Sequence, residues 1–226
     1  MTNQYVGDIN DYRKYDLMQI LSKIIDQRIL VVWMLTNDDG RNDGNKIKYL
    51  KYPKKWEKYN ETLFNELKKI INENNRNIKA IQDLPFFMNG KFDFYSKLIT
   101  DDKSKRDMYF KEVDKQSDNC KILFFDPDNG ISVNEKQKNA SKYLFWSEII
   151  NFWNKGKDIL VFQYFPWYCN RSKFIQNKID DCSKKLNTNE NNVITFYAKN
   201  VLYLLLMHDS ENVKDKLIKE WEKWLK

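Results

Sequence analysis

Histidine and cysteine are scarce in this 226-residue chain, which carries one His and three Cys. A single imidazole, His208, excludes a His-rich zinc site and would have to carry any Ser-His-Asp relay or imidazole proton shuttle alone. Its position after the last apolar run reads as structural. Cys120, Cys169 and Cys182 lie far apart with no Cys-x-x-Cys pair, which argues against a disulfide framework or a Cys-rich metal site and fits a reducing cytoplasm. Six glycines and four prolines form no linker and no Gly-x-Gly-x-x-Gly phosphate loop. The mean hydropathy is -0.75, and no apolar run reaches the roughly 18 residues that a membrane helix needs. The first eleven residues show no basic-then-apolar leader, so export is not expected. Chemistry is left to carboxylates, Lys, Tyr or bound ions.

What the chain does have is enough apolar residue, 42%, for one core at this length, and a single domain over 1–226 is expected. Lys and Arg outnumber Asp and Glu by 39 to 32. That balance suits a polyanionic partner, nucleic acid first among them, and equally describes a solvated Lys surface.

Apolar spacing predicts an amphipathic helix over 11–25, capped by Asp8 or Asn10, then a buried strand over 29–35. A loop over 37–46 carries Asp38, Asp39 and Asp43 together with Gly40 and Gly44. A helix follows over 56–71, a short strand over 77–82 and a helix over 103–114. The strand over 121–125 runs straight into Asp126-Pro127-Asp128-Asn129-Gly130. Ser141 is expected to cap a helix ending near Gly156; a strand over 158–164 and a helix over 171–186 come next. Two β-rich runs, 193–198 and 201–207, flank Lys199-Asn200 as a tight hairpin, and a helix starts near Ser210. Strands alternating with helices describe an α/β fold with a mostly parallel, Rossmann-like sheet and a C-terminal antiparallel hairpin. Ligands of such sheets sit beyond the carboxyl ends of the strands, where strand order reverses.

Four groups of residues stand at or near such ends. Asp126 and Asp128 could hold a hydrated Mg²⁺ or Mn²⁺, place a target amine, or serve only as turn formers. Asp38 and Asp39 could add carboxylates to the same metal or be a solvated loop. Asp11 and Lys14, three residues apart, read as a surface pair, and Tyr12 and Tyr15 beside them as core-edge cover or base-stacking rings. Tyr164, Trp167 and Arg171 make either a stacking platform with a phosphate contact or a lid over the sheet end.

Tyr5-Val6-Gly7-Asp8, Asp11, Lys14-Tyr15 and the Asp126–Gly130 run, with Trp33 and Arg106-Asp107-Met108-Tyr109-Phe110, resemble a bacterial protein family to which no activity is attached. More distantly, Gly7, Asp11, Lys14 and Asp126-Pro127 are similar to the motifs of ribosomal-RNA adenine-N6 methyltransferases of the J type. That resemblance implies a methyltransferase-like fold, S-adenosylmethionine as cofactor and a nucleic-acid substrate. The chain departs from it where Asp128 and Asn129 replace a proline and a base-stacking aromatic, and where residues 36–40 replace a glycine-rich donor loop.

Three functions follow as expectations. The first is a nucleic-acid-acting, S-adenosylmethionine-dependent enzyme with Asp126, Asp128 and Lys14 catalytic, and with Tyr164, Trp167, Arg171, Asp11 and Asn129 on the substrate. The second is a metal-dependent nuclease with the ion on Asp126, Asp128, Asp38 and Asp39. The third is a non-catalytic binding module on a degenerate methyltransferase-like fold.

Overall fold

Short runs of β-branched and aromatic residues build the sheet, as their packing on a pleated surface favours. In the computed structural model, which describes residues 2–37, 46–135 and 138–225, the strands are β1 Ile29–Val32, β2 Phe92–Tyr95, β3 Ile122–Phe125, β6 Asp158–Tyr164, β7 Val193–Ala198 and β8 Val201–Leu206. They form one sheet in the order β2-β1-β3-β6-β8-β7. All run parallel except β8, which pairs antiparallel with both β6 and β7. A separate two-stranded parallel pair joins β4 Ile131–Ser132 to β5 Leu144–Phe145. The sheet is the Rossmann-like, mostly parallel one that the element order predicts.

Helices cover both faces. α1 Ile9–Ile24, α2 Pro53–Trp56, α3 Glu61–Asn72, α4 Ile78–Gln82 and α8 Lys214–Trp221 lie with one core; α5 Lys103–Gln116, α6 Trp146–Asn154 and α7 Arg171–Leu186 lie with the other. The two-residue pleat divides each central strand between them. Ile29 and Val31 face the α1 side and Leu30 and Val32 the α5 side; Ile122 and Phe124 oppose Leu123 and Phe125 in the same way. Continuing that alternation by one residue brings Asp126 to the α1 side.

Several local expectations are corrected. Residues 77–82 are helical because the Asn77 side chain accepts from the Ala80 N–H and caps α4, and the strand of that region is β2, ten residues on. The helix expected from Trp56 starts at Glu61, where the Asn60 side chain caps α3. The helix expected from Ser141 starts at Trp146, because the Glu148 carboxylate accepts from the Phe145 N–H at 2.8 Å and fixes the first turn there. Residues 29–35 pair regularly only to Val32, with one further bridge from Leu35 to Leu98. No helix among the described residues is long and apolar enough to cross a membrane.

α1 differs most from its expected character. Its apolar spacing predicts one buried stripe, whereas twelve of its sixteen residues are buried, including Asn10, Asp11, Arg13, Lys14 and Asp16. A helix this polar can be enclosed only if its charged groups find partners inside.

Candidate functional site

Strand order reverses between β1 and β3, since the chain leaves β1 for β2 on one side and returns to β3 on the other. Crevices of this kind are where open α/β sheets take ligands. Lys14, from the second turn of α1, reaches across to this point. Its Nζ lies 2.7 Å from Asp126 Oδ2 and 2.9 Å from Asp11 Oδ1. It also lies over the Phe162 ring, 5.2 Å from the centroid. Lys14, Asp11 and Asp126 are all buried, at 4%, 2% and 2% exposure. The pair is therefore internal, which corrects the surface reading of Asp11 and Lys14.

Each member of the group is held by its own local structure. Asp11 also accepts from the Gly7 N–H at 3.1 Å and the Tyr15 hydroxyl at 2.9 Å, so it positions Lys14 and is sealed from the substrate it was expected to touch. Gly7 can make this approach because its φ is +81°. Asp8 caps α1 by accepting from the Asn10 and Asp11 N–H groups; burial, with the nearby Asp11 charge, pushes its carboxyl up to about 7. Burial also raises Asp126, against the pull of Lys14. Lys14 stays protonated: burial disfavours its charge, but the two carboxylates together outweigh that and raise it.

The turn after β3 stands at this strand-order reversal. Asp128, partly exposed, accepts from the Thr36 hydroxyl at 3.0 Å and so ties this turn to the one after β1. Asn129 is exposed, with its N–H donating to the Lys142 carbonyl at 2.8 Å. Gln163, on β6, completes the turn: its Oε1 accepts from the Ile131 N–H at 2.9 Å and its Nε2 donates to the Tyr164 carbonyl at 2.9 Å. Gly130 has a φ of +85°, and a Cβ there would come within 2.3 Å of Gln163 Oε1. Gln163 opens the aromatic run that ends the strand in the sequence, but its role in holding the turn after β3 is not legible there; the one signal is an amide at a buried-strand position.

The expected substrate residues separate into two kinds. Tyr164 is mostly enclosed, its hydroxyl 3.5 Å from Asn10 Nδ2 and burial raising its pKa. Trp167 and Tyr168 project into solvent at 89% and 102% exposure, and Arg171 is exposed beside them with its guanidinium 5.6 Å from the Phe165 centroid. Phe165, not Trp167, closes the sheet end. Tyr12 and Tyr15 are fully buried, so they belong to the core. His208 is structural: its ring stacks on Trp153 at 3.7 Å and its Nδ1 is 2.9 Å from Asp158 Oδ1.

Asp38 and Asp39 lie outside the described residues, and among those residues no group of three or more His, Cys, Asp or Glu is placed to hold a metal ion. Lys14 already supplies the positive charge that an ion would bring to Asp126. Arg106, part of the resemblance, is a packing centre: its guanidinium makes paired bonds to Glu148 at 2.6 and 2.9 Å and donates to the Ala140 and Tyr143 carbonyls. Neither a scan against protein-family models nor a search of curated proteins finds a match to this chain.

Proposed function

We propose that this chain is a nucleic-acid-acting enzyme on a methyltransferase-like sheet, with S-adenosylmethionine as donor and the crevice between β1 and β3 as its centre. One observation carries the reading: a fully buried Asp11–Lys14–Asp126 group at the point where this fold takes ligands. Burying such a group costs several kcal/mol of desolvation per ion, and apolar residues of similar volume commonly serve stability as well. Ionised groups retained at that cost in a ligand crevice mark chemistry. The sheet, parallel but for a C-terminal hairpin, is the one that the methyltransferase resemblance implies.

Asp128, half-buried in the turn after β3, is the carboxylate that would meet the donor's sulfonium or ammonium, since Lys14 already holds Asp126. The stretch from Trp33 to Thr36 holds no glycine turn, so the side chains after β3 are the ones that would hold it. When bound, the donor supplies the methyl group. Lys14 fixes the Asp126 carboxylate at the strand end, and that carboxylate accepts a hydrogen bond from the exocyclic amine of the target base. Trp167, beyond the same sheet edge, stacks on a base of the strand. The nuclease reading has less support, because Lys14 stands on the carboxylate that the metal would need. The test is transfer of labelled methyl from the donor to RNA and DNA oligonucleotides. Incorporation by the wild type that Asp126→Asn reduces by two orders of magnitude or more supports the reading; incorporation unchanged by Asp126→Asn contradicts it.

A further inference from the structure

A second feature lies at the same sheet edge but outside the crevice. A cleft of about 660 Å³ runs between the start of α1, the segment through α2 and the β7–β8 turn. Among the described residues five cations line it, Arg13, Lys46, Lys48, Lys55 and Lys199, with no Asp or Glu among the described lining residues. None of the five makes an ion pair with any described residue, whereas Arg28, Lys97 and Lys155 on other parts of the surface each hold a carboxylate. Arg13 is the buried member at 3% exposure; its Nη1 donates to Asn10 Oδ1, and its Nε has no partner. Two rings stand among these charges: Tyr52, 62% exposed, and Trp56, half-buried with the Lys55 ammonium 5.6 Å from its centroid.

Cations gathered in one cleft without a carboxylate on its described lining repel each other, and a chain of anions relieves that repulsion. An exposed ring and a half-buried one interleaved with cations suit a strand whose phosphates meet the lysines while its bases stack; an acidic peptide would use the charges and leave the rings idle. The hairpin turn links cleft to crevice, because the Asn200 carbonyl accepts from the Phe165 N–H at 3.1 Å, two residues before Trp167. We propose that this cleft binds the sugar-phosphate backbone of single-stranded nucleic acid, with Tyr52 and Trp56 as its stacking rings. The inference rests on the nucleic-acid reading above and says where the strand runs relative to Asp126.

Fluorescence anisotropy with a labelled twelve-nucleotide oligouridylate tests it across a salt series. Lys48→Glu with Lys199→Glu is expected to weaken binding about tenfold or more and to lower the salt slope by about one or more. Tyr52→Ala is expected to weaken it about fivefold or more with the slope unchanged. Lys103→Glu with Lys111→Glu, on α5 across the sheet, should change affinity less than twofold. Equal loss in the two double variants, or wild-type affinity in the cleft variants, overturns the proposal. So does polyglutamate binding as tightly as the oligonucleotide with no effect of Tyr52→Ala. Oligonucleotide held through the cleft without methyl transfer would keep this inference and remove the enzymatic reading. Methyl transfer undiminished in cleft variants would do the reverse.

Discussion

At the scale of single residues, Lys14 decides more than any other side chain described. Without it Asp11 and Asp126 would face each other as buried like charges, one of which would have to protonate. Lys14→Met is therefore expected to cost about 3–5 kcal/mol in urea unfolding, and adding Asp126→Asn should recover a large part of that loss. Additive losses in the double variant would show that the two groups do not act as a pair. Asp8 gives a second prediction. Its folded-state pKa of about 7 lies above the ordinary carboxyl value, so its contribution to stability is complete below about pH 4 and is lost as pH rises through 7. Asp8→Asn keeps a good N-cap and cannot ionise. Its stability relative to wild type should rise from about pH 4 to 7 and level off above that, and parallel profiles over that window would refute the assignment.

Elements matter here through their ends more than their middles. The turn between β3 and β4 holds its shape because Gly130 takes a left-handed φ and leaves room for Gln163. Gly130→Ala meets both obstacles and is expected to lower stability by about 1–3 kcal/mol; an unchanged urea midpoint would mean that the turn is not fixed in this way. Ends also explain where sequence reading succeeds and fails. β3, β6 and the β7–β8 hairpin are legible because each is an apolar or β-branched run with turn formers at its limit. β2 is not: Phe92-Asp93-Phe94-Tyr95 is a four-residue edge strand with a carboxylate in it. Residues 77–82 look like a strand because Ile78 and Ile81 are apolar, but Asn77 starts a helix through a side-chain cap that composition does not reveal. The same holds for Glu148, three residues inside α6, which moves the start of that helix.

For the molecule as a whole, the legible part of the candidate site is its position: an Asp-Pro-Asp-Asn-Gly turn after an apolar strand in an α/β pattern marks Asp126 and Asp128. Lys14 is also legible through the resemblance, but its burial is not. Burial follows from tertiary packing, since α1 is enclosed by the sheet, α3 and α8. Asp16 shows the same effect: it sits one turn from Tyr12 and is tied to Lys223 and the Trp224 indole at 2.7 and 2.6 Å, a link of more than two hundred residues in sequence that no periodicity exposes. The basic cleft was equally hidden, because its cations come from three separated segments.

The central claim is that the crevice beside Lys14 and Asp126 is a donor site, and calorimetric titration of S-adenosylmethionine into the full chain tests it most directly. The account predicts one site per chain with a dissociation constant on the order of micromolar, weakened by Asp128→Ala in the turn after β3. No heat of binding with the ligand at roughly millimolar concentration, where even a weak site of about −4 kcal/mol would register, would contradict it.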